Sequence, residues 1–599
     1  MLKRFGYKAM VAFLVFVSYR MYISNFFYEI FNMEEFIPAE AIKLLFPYSA
    51  INTIIFFLIV WYVNKETWNL FASKLEKGLS FLFSFLFLAG FNITTTEAFT
   101  ENMHSARMLI FYAVFLAGTY YIFRFLLMHL KGIAAFIGRS RIQYMFSEKK
   151  QFILFTVIFV ICWLPYAFLR YPAGFEHDAY YQIADFLEGT MTNHWPVASS
   201  VSMGIFVRIG QMLFGSPDIG IFIYCVLQTV IGALIFSYET VVMRRFEVPA
   251  LFTYISALIF AIVPVYPGYI TSVVKDAPFA CMVLLFVLLI FQEVLSEGSK
   301  AAVFMIVTGF MVCILRNNGI FIVSVLSVVL SVISLNKRRF FKKKLLISLL
   351  ATMVLFALYS KVLLPVLGIQ GTSESEAFSV PFQQTARLAS IRRERISDSD
   401  AVIINDVLDF ERISSEYDQW LSDPVKATYR GEKDSLGRYF GVWLKEGIQN
   451  PDVYLDAFLF NSIGFIYPDV RMGISPVVSG MYGQVWNTRD VQFTISDQMY
   501  KLREKIKENV SAFENLPIIF PFVNVAIQLW IPVALLFWSF SKKKYKYAFL
   551  LIPSLIGVLV CLASPTYMNN GARYALPVIY TNMLLIGIAI TNSFEKEKQ

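Results

Sequence analysis

Four short clusters carry side chains able to move a proton or hold an anion. The first is the run Tyr171-Pro172-Ala173-Gly174-Phe175-Glu176-His177-Asp178-Ala179-Tyr180-Tyr181. The chain has only 4 His, and two of them, His177 and His194, fall in or just after this run. Glu176 and Asp178 are two apart, so an extended backbone turns both to one side. Asp178 then stands as the N-cap of a helical stretch at 178–189, with Tyr180, Ile183 and Leu187 as its docking face. A carboxylate placed here can act as general base on an acceptor hydroxyl, or can ligate a divalent cation that holds a phosphate. Carboxylate oxygens suit Mg²⁺ or Mn²⁺ and imidazole suits Mn²⁺ or Zn²⁺, so Asp178 with His177 is the candidate metal pair. The bland alternative is a solvated acidic turn in which Asp178 only caps a helix.

The second cluster is Lys275-Asp276, just before Pro278. An ammonium at a membrane rim can hold a phosphate as a point charge, or can simply snorkel beside its neighbour Asp276. The third, Arg316-Asn317-Asn318-Gly319, offers a dense set of donors to an anion, and equally the ingredients of a tight turn. The fourth is Ser564-Pro565 followed by Asn569, Asn570, Gly571, Arg573 and Tyr574. Arg573 opens the final helix, where the helix dipole disfavours a cation, and this favours an anionic partner. Further along, Gln383, Gln384 and Arg387 precede the basic run Arg392, Arg393 and Arg395, which reads as a solvated face.

Membrane helices must position these groups. Of 599 residues, 57% are apolar and 16% charged, against roughly 25% charged in soluble domains. Mean hydropathy is +0.59. A soluble surface, intrinsic disorder, a collagen-like repeat and a disulfide scaffold are excluded, and an all-α polytopic membrane protein remains. The 5 cysteines lie far apart in apolar stretches and read as small buried hydrophobes. The net charge of +9 points to cytoplasmic loops facing anionic lipid, with no nucleic-acid partner. No Gly-rich phosphate loop, metalloprotease helix or Cys/His zinc spacing occurs.

Crossing the hydrocarbon takes about 20 apolar residues. About fourteen stretches qualify: 7–26, 45–63, 78–94, 107–129, 152–170, 218–241, 249–269, 277–295, 300–315, 318–335, 345–366, 516–540, 547–563 and 572–592. The basic loops 131–150, 336–344 and 541–546, with Arg244 and Arg245, are all cytoplasmic only if 198–214 does not cross. That stretch has Ala198, Val201, Ile205, Ile209 and Met212 on one stripe and Ser200, Gly204, Arg208 and Gln211 on another, which suits a helix lying at the interface. Both termini are then cytoplasmic in a plasma-membrane protein, and 171–217, 270–276, 316–317, 367–515 and 564–571 share the outer face. Four segments are expected: an accessory four-helix module at 1–150, a core at 151–366, a mostly helical extracytoplasmic domain at 367–515, and a three-helix segment at 516–599.

In this order the motifs resemble the GT-C class of membrane glycosyltransferases, which take sugar from a polyprenyl-phosphate donor. The class carries an acidic residue in its first outer loop, followed by two helices along the membrane surface. The stretch from Pro172 to Phe214 fits, with Asp178, then His194-Trp195-Pro196, then the flat helix. More narrowly, Lys275-Asp276-Ala277-Pro278-Phe279, Leu315-Arg316-Asn317-Asn318-Gly319, Pro381-Phe382-Gln383-Gln384-Thr385-Ala386-Arg387 and Arg573-Tyr574 are similar to a mainly Gram-positive bacterial branch of such proteins, over roughly 152–592. His177 and Trp195 depart from the pattern. The resemblance implies sugar transfer to an extracytoplasmic envelope glycan, with Asp178 as base and Glu176 as its substitute. It implies Lys275, Arg316, Arg387 and Arg573 on the donor phosphate, and His194, Asn317, Asn318, Gln384 and Tyr181 around the substrates. A divalent cation, Mg or Mn, is the one cofactor it admits. The rivals are a polymerase or ligase using undecaprenyl diphosphate, a transporter or flippase for a lipid-linked sugar, and a non-catalytic envelope scaffold. A transporter calls for inverted repeats and mid-membrane charge, and no internal repeat is visible.

Overall fold

A computed structural model describes residues 2–23, 73–295, 302–335, 343–431, 435–470, 497–564 and 571–594, with scattered positions in 55–63 and 472–493. The expected span at 45–63 lies mostly outside the described residues. In chain order the main elements are α1 (Leu2–Ile23), α2 (Lys74–Thr96), α3 (Ala106–Gly138), α4 (Glu148–Leu169), β1 (Gly174–Phe175), α5 (His177–Glu188), α6 (Val197–Phe214), α7 (Pro217–Arg245), α8 (Ala250–Ile262), α9 (Val265–Ile270) and β2 (Ser272–Val273). They continue with α10 (Asp276–Leu295), α11 (Ala302–Leu315), α12 (Gly319–Leu335), α13 (Lys343–Leu358), α14 (Ser379–Ile391), α15 (Leu436–Gln449), α16 (Pro451–Ile466), α17 (Val525–Ser541), α18 (Ile552–Leu562) and α19 (Leu576–Phe594). The protein is an all-α polytopic membrane protein.

Among the described residues, 8 helices are long and apolar enough to cross a membrane, and 5 shorter apolar helices of 10–17 residues accompany them. Their outward faces explain the composition. On α4, Ile153, Val157 and Ile161 stand exposed at four-residue spacing, one stripe of a helix turned away from the protein. Such a belt is stable only against lipid. α6 is itself one of the eight by length and composition. It buries Ser200, Met203, Gly204 and Val207 and leaves Ile205, Ile209 and Met212 exposed, so the expected apolar stripe faces outward, while the expected polar stripe divides, with Ser200 and Gly204 buried and Arg208 exposed.

Two compact units divide the chain. The first comprises residues 1–134, 379–470 and 537–543; the second comprises 135–378, 471–536 and 544–599. This differs from the expected four segments. The first break falls at 134 and not 150, and most of the expected outer domain groups with the N-terminal module. The cause is long-range polar and apolar closure. Asp456 on α16 accepts from the Thr100 backbone N–H at 3.2 Å and from its hydroxyl at 2.8 Å. On α2, Gly90 has no Cβ, which lets the Tyr467 ring lie where one would stand, 2.3 Å away.

In the second unit, Trp163 of α4 stacks on Phe159 with centroids 5.3 Å apart and donates from its indole to the Phe260 carbonyl at 3.0 Å. α6 and α7 form a tight hairpin. Gly210 and Gly220 face each other so closely that a Cβ on Gly210 would sit 2.5 Å from the Gly220 Cα. The expected single span at 249–269 is two helices, because Val263 precedes Pro264 and is pushed to extended geometry (φ −77°, ψ 122°).

Candidate functional site

Two parallel two-residue strands build the site. Gly174 pairs with Ser272 and Phe175 with Val273, and the Glu176 N–H donates to the Val273 carbonyl at 3.3 Å. Each strand runs almost directly into a helix: β1 into α5, which carries Asp178 in its first turn, and β2 into α10, which starts at Asp276. The pairing therefore sets two acidic helix starts side by side, each placed favourably for its helix dipole. Gly174 is required there, since a Cβ would meet the Arg170 Cδ at 2.9 Å and the Ser272 Oγ at 3.2 Å. Buried Arg170 donates to the Gly268 carbonyl at 2.6 Å and also to the Ser272 hydroxyl. Gln228 on α7 donates to the carbonyls of Ile270 (2.7 Å) and Ser272 (2.9 Å). These bonds satisfy the irregular backbone that the helices leave unpaired.

On this frame, residues from four separate stretches meet. The Asp178 carboxylate accepts from the Lys275 ammonium through Oδ2, and the same oxygen is ion-paired with Arg573 Nη1 at 3.1 Å. Asp276, with no exposed surface, pairs with Arg316, and its Oδ2 lies 3.9 Å from Arg573 Nε. The Tyr574 ring sits under the Arg316 guanidinium at 4.4 Å, a cation–π contact that steers it toward Asp276. Beyond Arg316 and Tyr574 opens a small cavity with otherwise apolar walls, among them Phe279, Ile322, Ile556 and Val560; Asn318 stands on its rim.

Lys275, Arg316 and Arg573 are thus brought together with Asp178. Glu176 is not beside Asp178 on a shared face. It occupies the N-cap position of α5 in extended geometry, and the helix begins one residue before Asp178, so the two do not share one extended segment. Glu176 is 3% exposed, against 22% for the Asp178 side chain. Asp178 is not the cap itself; it lies inside the first turn.

The other candidates divide. Tyr181 stacks on Trp195 (centroids 5.6 Å, 11° between planes), and His194 stands edge-on to Trp195 at 4.8 Å, so these three form one exposed aromatic rack. Asn317 donates to the Asn193 carbonyl and to the Thr372 hydroxyl, both at 3.1 Å, which ties the 189–196 loop to the turn after α11. It positions the loop. Arg387 and Gln384 belong to the first unit and are engaged within it. Arg387 lies 3.8 Å from Asp456 and 4.8 Å over Phe460. Gln384 accepts from the Trp443 indole and donates to the Tyr454 carbonyl, each at 3.0 Å.

The His177 side chain lies outside the described residues, and among the described residues no three His, Cys, Asp or Glu side chains gather. The one well-placed carboxylate, Asp178, already faces an ammonium and a guanidinium, which repel a metal.

Residues 187–599 match DUF6020, a family of unknown function, over more than half of the chain. The chain belongs to the DUF6020 family. Lys275, Asp276, Arg316 and Arg573 lie inside the DUF6020 match, whereas Asp178 precedes it. Comparison with curated proteins and with solved structures found no match.

Sequence reasoning missed two members of the site. Asp276 reads from the chain as a local partner of Lys275, yet it serves the two arginines. Tyr574 reads as part of a motif, yet its ring fixes Arg316. The signal for the first was Pro278, which marks a helix start at 276 and hence a change of direction between Lys275 and Asp276.

Proposed function

We propose that this protein is a membrane glycosyltransferase of GT-C type that transfers a sugar from a polyprenyl-phosphate donor to an envelope glycan acceptor on the extracytoplasmic side. One observation carries the reading: Asp178, Lys275, Asp276, Arg316 and Arg573, from segments up to hundreds of residues apart, form one cluster of charges beside an apolar-walled cavity. The cations of the cluster suit the anionic head of a lipid phosphate, while the cavity of about 20 Å³ has room for no more than a water. Asp178 takes the proton of the acceptor hydroxyl as its oxygen attacks the anomeric carbon. The bond from that carbon to the phosphate oxygen breaks, its electron pair leaves with the phosphate, and a single displacement inverts the centre. Lys275 and Arg573, backed by Arg316, balance the charge that grows on the leaving group, an effect typically worth about 2.7–4 kcal/mol for one well-placed donor. The exposed rack of Tyr181, Trp195 and His194 offers the acceptor sugar an aromatic face.

The test is transfer from a defined polyprenyl-phosphate monosaccharide in purified membranes. Asp178→Asn is expected to lower the rate by about 10²–10⁴-fold, with expression and membrane insertion unchanged. A wild-type rate in that variant ends the proposal. Product made only from a diphosphate-linked oligosaccharide would instead assign the polymerase or ligase chemistry, which shares the cationic site.

A further inference from the structure

The Asp178 carboxylate is engaged: its Oδ2 accepts from Lys275 and is ion-paired with Arg573, the two cations best placed to hold a phosphate. Asp178, Asp276 and Glu176 all lie within electrostatic reach of Arg573, and Arg316 holds Asp276. A phosphate anion cannot seat on Lys275 and Arg573 while a carboxylate occupies both, so that carboxylate must give way.

The geometry suits Asp178 to this. Asp276 is wholly buried and held by Arg316, which Tyr574 fixes in turn. Glu176 is nearly as buried, 3% exposed. Asp178 has the most exposed side chain of the three, 22%. Its backbone is anchored: Gln182 donates to the Asp178 carbonyl at 3.2 Å and accepts from Ser199 at 3.0 Å. A change of side-chain rotamer therefore moves its carboxylate without moving the helix.

We propose that Asp178 is the built-in counter-anion of the phosphate seat: a phosphate monoester displaces its carboxylate from Lys275 and Arg573, and only then can Asp178 take an acceptor's proton. Substrates consequently bind in order, donor before acceptor, and an empty site does not activate water or a stray hydroxyl. This rests on the function proposed above, and it makes a claim that activity alone does not test.

The experiment is binding to the purified full-length protein in detergent, with farnesyl phosphate, inorganic phosphate and farnesol as probes. Asp178→Asn removes the competing charge and is expected to bind farnesyl phosphate about ten-fold more tightly than wild type, with Lys275→Met weaker than both. A second readout needs only the wild type. A carbodiimide joins a touching carboxylate and amine into an amide, so the Asp178–Lys275 cross-linked peptide is expected in the empty protein and to decline as farnesyl phosphate saturates. Equal or weaker binding by Asp178→Asn, or a cross-link indifferent to farnesyl phosphate, overturns the displacement while leaving a phosphate site standing. Failure of farnesyl phosphate to bind any form removes the glycosyltransferase reading and this inference with it. Inorganic phosphate matching farnesyl phosphate assigns the seat to free phosphate, and farnesyl phosphate alone assigns it to a lipid head group; in either case the gain in Asp178→Asn is the support.

Discussion

Lys275 and Asp276 are neighbours in the chain and part company in the structure, the first to Asp178 and the second to Arg316. Consecutive positions at a helix start point about 100° apart, so adjacency in sequence is poor evidence of pairing. The chemistry of the site was legible in residue types: Asp178, Lys275, Arg316 and Arg573 each stood out as an ionisable group in an apolar chain. Their partners were not, because an ion pair between residues 40 or 97 positions apart leaves no local pattern. The two aspartates should also differ in what they cost to remove. Asp276→Asn leaves Arg316 and Arg573 buried beside a neutral amide, and loss of one partner of a buried pair costs about 3–5 kcal/mol. Asp178 is partly solvated, so Asp178→Asn should cost far less. Thermal unfolding in detergent is expected to show a large drop in Tm for Asp276→Asn and a small one for Asp178→Asn. Equal melting of the two would remove Asp276 from its positioning role.

Elements long enough to show a period were readable in the sequence, and those shorter than a turn were not. The observed α7, Pro217–Arg245, overlaps the stretch expected at 218–241, and α6, Val197–Phe214, overlaps 198–214. β1 and β2 have two residues each, too few for any alternation of apolar and polar positions to register. Yet this pair decides where both acidic helices begin. The α6–α7 hairpin makes a sharper demand on sequence. A Cβ on Gly220 would meet the Phe206 carbonyl oxygen at 2.1 Å, and that neighbour is backbone and cannot swing away. Gly220→Val is therefore expected to separate the two helices and destabilise the protein by at least about 1–3 kcal/mol, seen as lower yield of monodisperse protein and a lower Tm. Gly132→Val, where a Cβ meets nothing within 4 Å, is the control and should be neutral or slightly stabilising through helix propensity. Similar losses at both positions would mean that close backbone approach is not what Gly220 provides.

At the scale of the molecule, composition alone led to a helical membrane protein, whereas the grouping of segments into units did not follow from it. Thr100 and Asp456 lie 356 positions apart, and their contact helps to place α16 in the first unit. Sidedness is open to direct measurement. Four of the five native cysteines, Cys225, Cys281, Cys313 and Cys561, are buried, so an introduced thiol reports with little background. Within the second unit, Thr190→Cys after α5 and Gln143→Cys before α4 are both on exposed positions. In intact cells a membrane-impermeant maleimide is expected to label Thr190→Cys and to spare Gln143→Cys; the reverse would turn the site toward the cytoplasm and end the proposed function. The cationic partner of Asp178 and Asp276 that comes from Arg573 has one more consequence, for biosynthesis. A ribosome makes Arg573 some 300 residues after Lys275 and Asp276. Until then the nascent chain holds its two aspartates short of one positive charge. Synthesis of the segment that carries Arg573 is thus what finishes the site, and chains that stop before Gly571 should insert normally yet stay open to protease in the 171–196 loop.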